Sequence, residues 1–338
     1  MRRKATELGL ALVLLALLAS RASAQGTTGG EERAGDGSIR ESATFLLVPV
    51  GARTVGLGGA ATASSGDVEG ALWSPAGLAG LDRSALYVAG GEDFSATARV
   101  VGGILAWRSF RIGATYFHYD LGRIDARDAA NGEIGTIDPS HSAFIASVAY
   151  AVGSGVELGA SWKLIRLATG CSGACEGLEA TGAGSAFDLA AIARVPGVRG
   201  VRAGLLLRNL GGGIGLAGGP ADPLPARGRL GFEFDLPSAL GRDAGWANGD
   251  LALLARVDVQ ETLTEFDDLD LHVGVEAGWR GLLFARAGYA ASTEGRSGPS
   301  LGVGLRWNRL SLDFAHSFDD FSRFEEGTPF QLSLAVRL

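Results

Sequence analysis

Lysine is almost missing from this chain. Among its 338 residues it occurs at Lys4 and Lys163 alone, and arginine supplies the rest of the positive charge. With no basic runs and a formal charge of −7, nucleic acid is excluded as a partner. Cysteine is confined to Cys171 and Cys175, too few for a disulfide scaffold, and His118, His141, His272 and His316 are dispersed. Neither a zinc site nor any other metal or cofactor is expected from such a set. Nucleophile and acid–base constellations of the Ser-His-Asp, H-E-x-x-H or G-x-S-x-G kind are also missing, so the chain does not read as an enzyme. Finally, nothing after residue 25 offers eighteen apolar residues uninterrupted by charge, which excludes a spanning helix.

One apolar run exists at the start. Arg2, Arg3 and Lys4 precede an apolar stretch from Leu8 to Ala19, and Ala22-Ser23-Ala24 precede Gln25. Charge, short apolar core and small residues make a secretory signal peptide over 1–24. Residues 25–41 are polar and glycine-rich and read as a flexible leader. The exported remainder has a mean hydropathy that is positive, +0.19 for the whole chain, despite 20% charged residues. Helices and closed barrels are the two ways to cross a bilayer with every backbone group paired. With helices excluded, an all-β, transmembrane antiparallel barrel is expected.

Alternation supports it. Leu271, Val273, Val275, Ala277 and Trp279 share one face of a strand, with His272, Gly274, Glu276 and Gly278 opposite. Leu301, Val303, Leu305 and Trp307 repeat the pattern against Gly302, Gly304 and Arg306, as do Phe330, Leu332, Leu334, Val336 and Leu338. Residues two apart lie on one side of a strand. A large-apolar face against Gly, Ser and charge suits a wall between lipid and a polar lumen. Across 83–338 this reading places about fourteen strands, near 83–90, 97–107, 110–120, 141–151, 155–167, 185–195, 199–209, 227–236, 249–260, 269–279, 282–290, 299–307, 309–318 and 329–338. Very short connections alternate with longer ones such as 121–140, 168–184, 210–226 and 319–328; the long 237–248 breaks the rule. Short periplasmic turns and longer outer loops are the expected asymmetry. Tyr87, Trp107, Tyr116, Tyr119, Tyr150, Trp162, Trp279, Tyr289 and Trp307 are candidates for interfacial aromatic girdles.

Residues 42–82 differ from the rest. Gly51, Ala52, Gly56, Gly58, Gly59 and Ala60 permit close backbone approach, as in a plug packed against a barrel wall. Gly56-Leu57-Gly58-Gly59-Ala60-Ala61 imitates a dinucleotide loop, but Pro49 interrupts the preceding strand and no βαβ series follows. A small helix is expected over Asp67–Leu72, stopped by Pro75, with Ser74 capping a new turn that Gly77 or Gly80 ends. It would lie in or across the periplasmic mouth. Arg53 either latches onto an inward carboxylate of the barrel (Glu233, Asp235, Asp258, Glu276 or Asp313) or pairs locally or with solvent. Arg202, Arg208, Arg256, Arg286 and Arg306 share the inward set, so paired structural charges are expected there. A disulfide between Cys171 and Cys175 would close a small outer loop.

Gly51-Ala52-Arg53 with Gly56, Gly58, Gly59 and Ala60, followed by Trp73-Ser74-Pro75-Ala76-Gly77, resembles the start of the PorV/PorQ family of outer-membrane proteins, within the broader FadL-like barrels. Ser74 stands where that family usually has Asn. Leu207–Gly211 and Asp222–Gly231 resemble its mid-barrel signature. The resemblance implies a fourteen-stranded barrel in the outer membrane with its N-terminal region partly inside. It also implies a membrane or secretion-accessory role with a secretion-system protein as partner. The alternative is FadL-like transport of small hydrophobic molecules. Because the hatch-like region is only about forty residues and the inward face offers little bulky apolar surface, the first role is the expectation here. Apart from outer-membrane lipid, no partner follows from composition.

The leader is expected to enter the first strand from the periplasm, with the N-terminus on that side and the long connections facing outward, and this orientation is directly testable. A tag inserted beside Asn131-Gly132 should be reached by antibody on intact cells, and one beside Pro196-Gly197 should not; the opposite labelling would show the strand count to be off by one.

Overall fold

The computed structural model describes residues 41–93, 96–153, 155–173, 179–216, 219–240, 250–263, 269–292, 297–318 and 329–338. The expected signal peptide, nearly all of the expected leader and Cys175 fall outside them. Fourteen antiparallel strands form the wall: β1 (Ala85–Asp93), β2 (Ala96–Trp107), β3 (Phe110–Asp120), β4 (Glu133–Val152), β5 (Val156–Gly173), β6 (Ala180–Arg194) and β7 (Val201–Gly211) in the first half. The second half comprises β8 (Arg227–Asp235), β9 (Leu251–Thr262), β10 (Asp270–Trp279), β11 (Leu283–Ala291), β12 (Gly298–Trp307), β13 (Leu310–Ser317) and β14 (Phe330–Arg337). Each pairs with its sequence neighbour, and β1 pairs with β14, so the sheet closes on itself. Closure leaves no open edge along the wall, which is what hydrocarbon demands.

The faces sort as the alternation requires. Leu301, Val303 and Leu305 are exposed outward, whereas Ser300, Gly302 and Gly304 turn inward. Trp107, Trp279 and Trp307 end outward faces on the short-turn rim, Trp307 being 70% exposed. Tyr87 and Tyr119 depart from the girdle assignment: both are buried and point into the lumen. Their strands place them on the inward parity, which strand-end position alone does not reveal.

Two expected loops are partly strand. β4 and β5 continue in register up to Gly135 opposite Gly173, and Ile124–Arg127 adds a further short strand to β4. These extensions mix Thr, Gly, Asp and Ser with isolated Ile and Ala and carry Pro139, so alternation is weak, because strands above the lipid have water on both faces. The long 237–248 connection opens with a short helix, α3, at Leu236–Leu240.

Residues 42–82 run through the lumen, from rim to rim. Glu41 pairs with Arg227 and Ser42 donates to the Asp222 and Pro223 carbonyls, all on the long-connection rim. At the far end Leu81 accepts from Arg111, beside the short turn after β2. The segment therefore spans the barrel's height, and residue 41 stands on the side opposite to that expected for the N-terminus. An eight-stranded barrel can be filled by its own side chains, but a wider one needs something more.

The segment contains a 3-10 turn at Thr44–Leu47 and helices α1 (Ala52–Val55) and α2 (Gly70–Trp73). A second 3-10 helix covers Pro75–Gly80. The expected helix starts three residues late, since Asp67–Glu69 form its leading turn. Pro75 does open the new turn, but Ser74 does not cap it: its hydroxyl donates to the Thr62 carbonyl instead. Gly77 lies inside that turn because a Cβ there would collide with the Ser64 carbonyl.

Wall glycines make room for the segment. A Cβ on Gly288 would overlap the Gly58 backbone, one on Gly274 would meet the Leu57 carbonyl, and one on Gly204 the Thr62 carbonyl. Gly58 itself has φ +65° and abuts the Tyr289 backbone. Gly288→Val should accordingly loosen residues 42–82 by about 1–3 kcal/mol, the usual cost of overpacking. Limited proteolysis should cut the segment about thirtyfold faster for a loss of ~2 kcal/mol, while the heat-resistant barrel band persists. Ala285→Val, on the lipid face, is the control; equal cleavage of both variants would refute tight packing.

Candidate functional site

The site is the contact between the segment and the wall. A backbone crossing the lumen without a sheet to join must find partners for its N–H and C=O groups. At α1 every N–H has a partner, Val55 N–H donating to the Gly51 carbonyl. Ala52 N–H donates to Ser333 Oγ at 2.8 Å, Arg53 N–H to Glu69 Oε1 at 3.2 Å, and Thr54 N–H to Glu69 Oε2 at 3.0 Å. Thr54 Oγ1 and Ser333 Oγ also donate to that carboxylate, at 2.9 Å each. Gly51, at φ +104°, leaves room for it: a Cβ there would lie 2.6 Å from the Glu69 carboxyl carbon.

Asp258 of β9 does the same for the next stretch, with Oδ2 accepting from Ala61 N–H, Thr62 N–H and Thr62 Oγ1 at 2.9, 2.9 and 2.7 Å. Arg229 stands beside it at 3.3 Å and donates to the Gly59 carbonyl. His272 Nδ1 donates to the Gly58 carbonyl at 2.7 Å, and Gly58 N–H donates to Ser300. His272 is thus a contact to the segment.

Arg53 satisfies both readings of its role at once. Its guanidinium reaches Glu276 of β10 at 2.9 Å and Asp67 within the segment at 3.0 Å. Glu276 is shared with Arg286, which also holds Asp313. Of the other inward charges, Glu233 pairs with Arg256 and Arg202, whereas Asp235 accepts from Ser238 of α3 and takes no part in the lumen. A void of about 30 Å³ adjoins Arg53, Asp67 and Glu69, room for a water or two.

The opposite side of the lumen is different. Val100, Ile104, Phe117, Ile145, Ile165 and Leu167 of β2–β5 face inward and are buried with Phe45 and Leu46 of the segment. Phe45 packs on Phe117 and His141, with ring centroids 5.5 Å apart in both cases. This corrects the expectation of little bulky apolar surface inside, which holds for the late strands only. Lys163, the single lysine beyond Lys4, stands at the edge of this region, 2.7 Å from both Asp188 and Asn209. Asn209, at φ +58°, also takes its place opposite a register shift at Asp188. Arg208 next to it lies over Trp73 and donates to the Leu46 carbonyl. The mid-barrel signature residues thus form a buried polar node under the segment. A void of about 20 Å³ lies between this node and Phe117 and Ile145.

Glu69, Asp67, Lys163, Asp188, Arg229 and Ser333 were not singled out as site residues from sequence. Lys163 alone carried a signal, as an isolated lysine in an apolar strand. Trp73 does serve the site, donating from its indole to the Val50 carbonyl at 2.8 Å. Cys171 lies near the end of β5, opposite Ile137, and the proposed bridge to Cys175 reaches outside the described residues. Among the described residues no cluster of His, Cys, Asp and Glu suited to a metal occurs.

No protein-family model and no curated protein matches the chain by sequence. By structure the chain has the fold of FadL-like outer-membrane barrels. The toluene transporter TbuX of Ralstonia pickettii superposes with a TM-score of 0.56 at 13% identity, over 85% of this chain and 98% of that one. The toluene transporter TodX of Pseudomonas putida gives 0.58 at 10% identity, over 85% and 98%. A FadL homologue of Pseudomonas aeruginosa gives 0.53 at 14% identity, over 86% and 99%. At such identities the likeness concerns the fold. It bears on the FadL-like part of the resemblance and leaves the PorV/PorQ part without support.

Glu69 ties three main-chain and hydroxyl donors of the segment to one carboxylate, so its loss should loosen the segment. In Glu69→Gln one amide N–H faces a backbone donor, and protease release of residues 42–82 should rise by an amount matching about 1–3 kcal/mol. Release unchanged from wild type would place the hold elsewhere.

Proposed function

We propose that this protein sits in the outer membrane and passes small hydrophobic molecules across it, with residues 42–82 as the gate. The observation that supports this reading is the division of the lumen. One side is apolar, from Val100 to Leu167, and is closed off by Phe45 and Leu46; the other side grips the segment through charges and close backbone contact. An apolar solute meets a compatible surface on β2–β5 once the segment shifts, while Arg53 and Asp258 hold its remainder. The structural neighbours described as toluene transporters make a monoaromatic hydrocarbon a reasonable first probe. A channel role accords with a non-enzyme.

A secretion-accessory role is the second reading. The extended β4–β5 wall with Ile124–Arg127 stands above the other strands on the long-connection side and offers surface to a protein partner. The two readings separate in one experiment. Cells expressing the protein, in a host deleted for its own uptake barrel of this fold, should take up labelled toluene several-fold faster than vector controls, with no gain for a polar solute of similar size. Uptake equal to vector, together with a stoichiometric protein partner in detergent extracts, would transfer the function to the second reading.

A further inference from the structure

Away from the lumen, the short-turn rim carries a repeated device that neither reading uses. β2 ends on Trp107 and the turn opens with Arg108; β10 ends on Trp279 and the turn opens with Arg280. Both tryptophans are outward and about half exposed, in line with the lipid-facing rows that include Leu105 and Val275. Both arginines lie over the indole before them, with the guanidinium carbon 5.5 Å and 4.9 Å from the ring centroid. Both also sit at φ +53°, in the left-handed region. That conformation suits Gly or Asn and is unfavourable for a long side chain. A third turn on this rim shows the cheaper solution, with Asn308 at φ +56° after Trp307 and the arginine moved on to 309. Arginine in the strained position is therefore there for its side chain, not for the turn.

Charge is distributed to match. The short-turn rim also exposes Arg194, Arg199 and Arg309, while the exposed acids described there are Asp82 and Asp250, paired with Arg83 and Arg280. Among the described residues the opposite rim is acidic, with Asp125, Asp128, Glu133, Asp138, Glu179 and Asp222 exposed against Arg123 and Arg127, which pair with Asp138 and Asp125. We propose that the short-turn rim is a binding surface for anionic phospholipid headgroups, with each Trp-Arg pair setting an indole at the level of the glycerol backbone and a guanidinium against a phosphate. Tryptophan prefers that depth, an anionic leaflet attracts basic residues beside it, and guanidinium matches phosphate geometry. Stacking on the indole fixes the guanidinium at the boundary between the apolar belt and water.

The test separates lipid binding from turn stability. Glycine is at home at φ > 0, so Arg108→Gly with Arg280→Gly should fold and melt at or above the wild-type temperature in neutral detergent. Full-length wild type, delipidated and mixed with equal phosphatidylglycerol and phosphatidylcholine, should retain phosphatidylglycerol in native mass spectrometry and melt higher in its presence. The double variant should lose at least fivefold of that retention and the melting shift. Arg123→Gln with Arg127→Gln, on the acidic rim, should retain both. Equal retention of the two lipids by wild type, retention unchanged in the glycine variant, or the same loss in the acidic-rim variant would each overturn the proposal.

Discussion

A backbone that crosses a lumen without joining a sheet has to be satisfied by side chains, and most of the inner surface of this barrel follows from that demand. Glu69, Ser333, Asp258, Ser300, His272, Arg229 and Arg208 each meet a main-chain group of residues 42–82. An unpaired buried polar group costs about 1–3 kcal/mol, so these partners are required for the segment to stay where it is. Their own charges then need partners, which accounts for Asp258 beside Arg229 and for the chain from Asp67 through Arg53 and Glu276 to Arg286 and Asp313. Glycines at 204, 274 and 288 are the steric counterpart, allowing the two backbones to come close enough for such short side chains to reach.

The wall was legible in the sequence because its rule is local. Alternation with period two needs only neighbouring residues, and Leu301 to Trp307 or Leu271 to Trp279 declare their faces without reference to the rest of the fold. The rule lapses where lipid does. At 133–140 and 168–173 both faces meet water, alternation fades, and strand reads as loop. The glycines of 51–59 announced a close approach, but not to what. Gly58 meets Tyr289 and Ser300, more than two hundred residues away, and no local pattern encodes that pairing. Arg53 had five candidate carboxylates on correct faces; choosing Glu276 requires the height and rotation of the segment, which are properties of the closed barrel.

The entry side of the segment was hidden for a related reason. Chain order places residue 82 next to β1, and that end does lie at the short turns. Forty residues in mixed turns and short helices are long enough to traverse the wall's height, yet nothing local says whether they do. The contacts of Glu41 and Ser42 with β8 and the stretch before it decide the matter.

The two sides of the lumen hold the segment by different physics, and the difference bears on how it could move. On β7–β14 the hold depends on orientation-dependent hydrogen bonds, ion pairs and backbone contact, which are lost over small displacements. On β2–β5 it is apolar burial of Phe45 and Leu46 against Phe117, Ile145 and Ile165, which is non-directional and scales with area removed from water. An apolar solute can replace the second kind of contact with little net change, because it covers the same surface. It cannot replace the first. Under the proposed gating, displacement should therefore begin at the Phe45 ring, while Arg208 keeps the Leu46 carbonyl in place and α1 remains fixed by Arg53 and Glu69.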